Sequence, residues 1–170
     1  MALDYTTEEH QALLIIWIDG SNDYADWRRN LQFRSRDLGR GRRTNRVDHK
    51  EAVKLLRLER DAIRRHQHVL IIAHSRGAAI GQNLARELAV RGFEVDLVAY
   101  GYKRTGNGAF VAELEAIATV RAFRHRGDIV PLLPPWRAGL RHELIGAWKP
   151  PCTAHMSYGW RSENVDAEQT

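Results

Sequence analysis

The segment His68–Gly92, HVLIIAHSRGAAIGQNLARELAVRG, contains two incompatible periodicities joined at one residue. Val69 to Ile72 form a short apolar, β-branched run, the pattern of a strand buried on both faces. From Ile80 onward, Leu84, Ala85 and Leu88 recur at helical spacing until Gly92 supplies a stop. The change of period falls at Ser75, with Ala73 and Gly77 as small residues on either side. A strand turning sharply into a helix needs small residues there because the two backbones nearly touch. Two readings of Ser75 follow: a hydroxyl that caps the helix, or a hydroxyl raised by a strained turn to act as a nucleophile at the helix N-terminus.

Outward from this corner the chain alternates strand and helix. Ala12 to Asp19 is an apolar run suited to a buried strand and ends in Gly20 and Ser21. The pattern from Val47 to Arg65 predicts one amphipathic helix with Ala52, Leu55, Leu56, Leu58, Ala62 and Ile63 on its apolar face. After Gly92, FEVDLVAY reads as a strand, GYKRTGNG as a loop, AFVAELEAIA as a helix and TVRAFRHR as a further strand. Strand–helix alternation implies right-handed crossovers and a mostly parallel sheet with flanking helices, hence an α/β fold in a single domain spanning residues 1–170. In such sheets the chemistry gathers in loops at the C-terminal strand ends. Those loops are Gly20–Ser21, AHSRGA, GYKRTGN and GDIVPLLPPW.

Composition narrows the function classes. The chain has 170 residues, 44% of them hydrophobic, which suffices for one sizeable core. No stretch reaches the roughly 18 apolar residues of a membrane span. The N-terminal MALDYTTEEHQ lacks a leader's basic-then-apolar pattern, so the expected location is the cytoplasm. The single Cys152 excludes an internal disulfide and an all-cysteine metal site. His49 and His125 lack metal-ligand spacing, so neither metal nor cofactor is expected. The net charge of +5 has a local concentration in RSRDLGRGRRTNR, Arg34 to Arg46. That run reads as a solvated loop in preference to an anion-binding patch, and its lack of aromatics argues against nucleic acid. The tail SENVDAEQT is polar, and the oligomeric state is not legible.

The ordered set of motifs resembles the class 3 lipase family of α/β-hydrolases, which includes the fungal triacylglycerol lipases. IDGSNDYADWRRNL is similar to the family's apolar strand, Gly-Thr or Gly-Ser turn and Asp-Trp segment. VDHKEA resembles a Val-His-x-Gly-Phe helix start with Asp48 inserted, AHSRGA resembles Gly-His-Ser-Leu-Gly-Gly, and AYGYKRTGN resembles Phe-Gly-x-Pro-Arg-x-Gly-Asn. DIVPLLPP, from Asp128, is similar to Asp-x-Val-Pro-x-Leu-Pro-Pro. The resemblance implies ester hydrolysis with Ser75 as nucleophile, His142 as base and Asp128 as its orienting acid, His155 being the alternative base. It also implies an oxyanion hole from Ser21 and the backbone of Arg76. The expected partner is a small ester or lipid substrate. Segment Asn22 to Leu31, where fungal members carry an apolar lid, is nearly all polar and favours a soluble ester.

Three departures from the family pattern bear on activity. Ala73 replaces a glycine, Asp19 stands where arginine is usual, and Arg76 follows the serine in place of leucine. A carboxylate beside an oxyanion hole opposes developing charge, which leads to the expectation that Arg76 pairs with Asp19. The same departures, with the missing glycine of the family's His-x-Gly at His142, motivate the alternative of a catalytically inactive hydrolase-fold binding or structural protein.

Overall fold

The structure, a computed structural model, describes residues 3–20 and 34–123. Its main sheet has five strands: β1 (Tyr5–His10), β2 (Leu13–Ile18), β5 (His68–His74), β6 (Glu94–Tyr100) and β7 (Thr119–Phe123), adjacent in that order. β2, β5, β6 and β7 run parallel, and β1 joins β2 antiparallel at one edge. A two-stranded hairpin, β3 (Ser35–Asp37) and β4 (Arg43–Asn45), lies outside the sheet. The helices are α1 (Arg46–Leu58), α2 (Arg60–Arg65), α3 (Arg76–Ala89) and α4 (Gly108–Ile117).

Strand alternation decides which residues enter the core. Leu14, Ile16 and Ile18 of β2, Val69, Ile71 and Ala73 of β5, and Val95, Leu97 and Ala99 of β6 are all buried on one face. α3 packs across β5 and β6, with α1 and α4 against its flanks. Its Ile80, Leu84, Ala85 and Leu88 are fully buried, as the helical spacing predicts. The fold is the mostly parallel, helix-flanked sheet of the α/β-hydrolases.

Three elements differ from the sequence reading. YTTEEH forms β1, because a half-buried edge strand needs apolar contacts on one face only and so tolerates its glutamates. The long helix from Val47 to Arg65 is two helices, divided at Glu59, and Leu58 beside the break is 61% exposed instead of in the apolar face. The basic loop is the β3–β4 hairpin, with Gly39, Arg40 and Gly41 all at positive φ at its tip.

Candidate active site

β5 ends at His74, and the chain reverses direction at Ser75, which holds φ 53° and ψ −118°. This region is costly for a residue with a side chain, on the order of 1–3 kcal/mol, and survives only where surrounding structure imposes it. Here the surroundings do so from two sides. The Ser75 N–H donates to the Tyr100 carbonyl at the end of β6, at 2.8 Å. Behind it, Gly77 presses the start of α3 onto β2: a Cβ there would lie 2.3 Å from the Ile18 carbonyl oxygen and 2.5 Å from that of Asp19. Only glycine permits that approach.

The two readings of Ser75 are separated by its side chain, which makes no capping hydrogen bond to α3. As the first residue of the helix, Arg76 has a backbone N–H without an intrahelical acceptor. The loop after β2 arrives beside the corner. A Cβ built on Gly20 would sit 3.0 Å from both the Ser75 Cβ and the His74 Nδ1. Ser75, the N-terminus of α3 and the Asp19–Gly20 turn therefore share one edge of the sheet. Ser21, Asp128, His142 and His155, the other expected site residues, lie outside the described residues, as do Asn22 to Leu31.

The expected pairing of Arg76 with Asp19 is not formed. Asp19 directly follows β2 beside the start of β1, its N–H bonded to the Asp4 carbonyl at 3.1 Å. Burial and the nearby Asp4 charge push its carboxyl above the usual range, and His74 partly offsets them. The Ala73 departure has a compensating partner that the motif did not reveal. Gly81, in the second turn of α3, leaves space where its own Cβ would stand 3.0 Å from the Ala73 Cβ.

A polar network supports the same edge from behind. Lys103 Nζ pairs with Asp48 Oδ2 at 3.0 Å, with side chains 5% and 1% exposed. Asp48 is the insertion in VDHKEA, and Lys103 stands at the proline of the loop that AYGYKRTGN resembles. The two departures thus neutralise one another. Thr105 donates to Asp48 at 3.3 Å, Asn83 to Thr105 at 3.2 Å, and Thr44 to Asn83 at 2.8 Å, tying β4, α1, α3 and the loop 101–107 together. His49 Nε2 faces Glu87 Oε1 at 3.4 Å. That contact and Arg91 outweigh burial and hold the Glu87 carboxyl down at about 2.

A recess among the described residues is lined by Leu13, His68, Leu70, Asp96 and Thr119, and Ser75 is not part of its lining. Among the described residues no cluster of three or more His, Cys, Asp or Glu is arranged to hold a metal ion. No helix among them is long and apolar enough to cross a membrane.

The family model for lipase (class 3) matches residues 15–138. The chain belongs to the class 3 lipase family. The Fusarium solani secreted mono- and diacylglycerol lipase 1 is 37% identical over 81 residues, 46% of this chain and 24% of that protein. Solved lipase structures share the fold. The Rhizomucor miehei triacylglyceride lipase superposes with a TM-score of 0.69 at 21% identity, covering 81% of this chain and 58% of its own. An MDLA variant from Penicillium cyclopium gives 0.70 at 21%, covering 90% and 59%. A further fungal lipase gives 0.73 at 20%, covering 88% and 58%. The chain accordingly spans only part of the length of these relatives.

Proposed function

We propose that this chain hydrolyses carboxylic esters through an acyl-enzyme formed on Ser75. The observation that carries the reading is the Ser75 backbone, strained at φ 53° while its hydroxyl caps nothing. Strain of that size would not be maintained for a helix cap, which is made with ordinary extended backbone. Family membership adds support. One solved relative is described as a triacylglycerol lipase whose catalytic centre is a serine protease triad.

In the proposed cycle the Ser75 oxygen attacks the ester carbonyl while His142 takes its proton. The tetrahedral oxyanion is bound by the N–H groups of Arg76 and Ser21. Collapse expels the alcohol, which receives the proton from His142, and water then repeats the sequence to release the acid. Asp128 holds the imidazole tautomer that makes this possible, and His155 is the alternative base. The Ser75 N–H is already committed to Tyr100, so the oxyanion donors must be its neighbours. By analogy with the Fusarium relative's name, the substrate is an acylglycerol or a related lipid ester.

A fluorophosphonate probe tests this directly. Ser75 is expected to be labelled, and Ser75→Ala to lower p-nitrophenyl ester turnover by ~10³-fold or more. His142→Ala is expected to abolish labelling and His155→Ala to leave it. The reverse pattern exchanges the two histidines within the same mechanism. The second reading, an inactive binding protein, is favoured by the Asp19 carboxyl next to the oxyanion turn. Absence of both labelling and turnover in the parent protein would decide for it.

A further inference from the structure

We propose that the β3–β4 hairpin docks this protein, by charge, on an anionic lipid surface. The arginine run Arg34 to Arg46 is an ordered ribbon. Its tip is closed by Asp37, whose Oδ1 accepts from the Gly39 N–H at 2.7 Å, and by Arg42, whose Nε donates to the Gly39 carbonyl at 2.9 Å. Asn107 anchors the ribbon to the body: its Oδ1 accepts from the Arg43 N–H at 3.0 Å and its Nδ2 donates to the Gly41 carbonyl at 2.8 Å. Arg42 is consumed in this anchoring through its ion pair with Glu113.

The remaining cations face outward. Arg34, Arg36, Arg40, Arg43 and Arg46, with Lys50 on the first turns of α1, are exposed, and none is ion-paired with a described carboxylate. Asp37, the acidic residue within the hairpin, is engaged in the turn. The tip carries a second sign. Three successive residues adopt left-handed backbone, and the middle one is Arg40 at φ 53° between glycines at 81° and 74°. A side chain there costs ~1–2 kcal/mol that glycine avoids. The strained position thus displays a cation in open space, with nothing within 4 Å of where a Cβ on either glycine would be.

Placement favours a lipid surface over other polyanions. The ribbon lies along loop 101–107, with Asn45 N–H donating to the Thr105 carbonyl at 2.7 Å, and that loop leaves β6 at Tyr100, which receives the Ser75 N–H. The hairpin is thus tied to the loop that follows β6, the strand whose last carbonyl receives the Ser75 N–H. No aromatic interrupts the run, so bases have nothing to stack on. Charge alone would suffice for docking, consistent with a segment Asn22 to Leu31 that is too polar to insert. The benefit to catalysis rests on the proposed ester hydrolysis, but the docking is measured without it.

Sedimentation with phosphatidylcholine vesicles, with and without phosphatidylglycerol, tests the proposal. The protein is expected to partition onto phosphatidylglycerol-containing vesicles only, and to be released as salt is raised. Each cation near such a surface contributes about fivefold, so R36Q/R40Q/R43Q is expected to lower partitioning by about 100-fold. The R36K/R40K/R43K variant is expected to keep it, and both variants to hydrolyse a soluble p-nitrophenyl ester as the parent does. Equal binding to the two vesicle types, salt-insensitive binding or unchanged partitioning of the glutamine variant would overturn the proposal. Tighter binding to duplex DNA than to the anionic vesicles at the same salt would overturn the choice of partner. Should the parent hydrolyse no ester yet bind as described, the docking stands and the enzymatic reading falls.

Discussion

Ser75 stores strain that its side chain makes worthwhile only if it reacts. Replacing it with glycine removes the steric cost of φ 53°. Ser75→Gly is therefore expected to raise stability by about 1 kcal/mol while eliminating ester turnover. Thermal denaturation would register this as a rise of about 2–4 °C. Asp19 makes a different contribution. With its carboxyl pushed upward by burial and Asp4, it is neutral at low pH and ionised above its raised pKa. In the proposed mechanism the ionised form would oppose the oxyanion. Asp19→Asn is expected to increase kcat several-fold on the alkaline side, with little change in KM and little effect at acid pH. A pH–rate profile identical to the parent's would remove Asp19 from the reaction. At this scale the sequence made Ser75 legible, because the change of period and the flanking small residues mark the corner. It could not show that Arg76 and Asp19 stay apart, since a pairing depends on side-chain direction and not on spacing.

Elements meet here through pairs of residues far apart in sequence. Gly81 in mid-helix would ordinarily be improved by alanine, by about 1 kcal/mol. With the Ala73 methyl 3.0 Å from the new Cβ, Gly81→Ala is instead expected to destabilise the protein by about 1–3 kcal/mol. Ala73→Gly should restore most of the loss, and a double-mutant cycle in urea would show coupling of the two. Lys103 and Asp48 behave similarly. Removing one charge, as in Asp48→Asn, leaves the other buried and is expected to cost about 3–5 kcal/mol, whereas Lys103→Met with Asp48→Leu should recover much of it. β2, β5, β6, α3 and α4 were readable because burial imposes a strict period on them. β1 was not, since an edge strand answers to a partner more than to its own composition. Nor was the β3–β4 hairpin, whose arginines obscure a turn made by Asp37 and three left-handed residues.

Across the whole molecule, the polar network makes stability depend on acid. Glu87 falls from an ordinary 4.5 to about 2 in the folded protein, chiefly through its contact with His49 and then Arg91. A lowered carboxylate contributes stability that is present above 4.5 and lost as pH falls toward about 2. Urea midpoints are accordingly expected to fall across that window. In Glu87→Gln they should begin lower at neutral pH and fall less steeply. The bond from the Ser75 amide to the Tyr100 carbonyl has a consequence of another kind. It lies between β5 and β6, with β2 and β7 outside them, so fraying of the sheet's margins does not release it. In deuterium oxide the amide hydrogen of Ser75 should persist among the slowest to exchange, while those of β1 and the arginine ribbon are replaced early. The proposed nucleophile would then also be one of the chain's best-kept clocks of global opening.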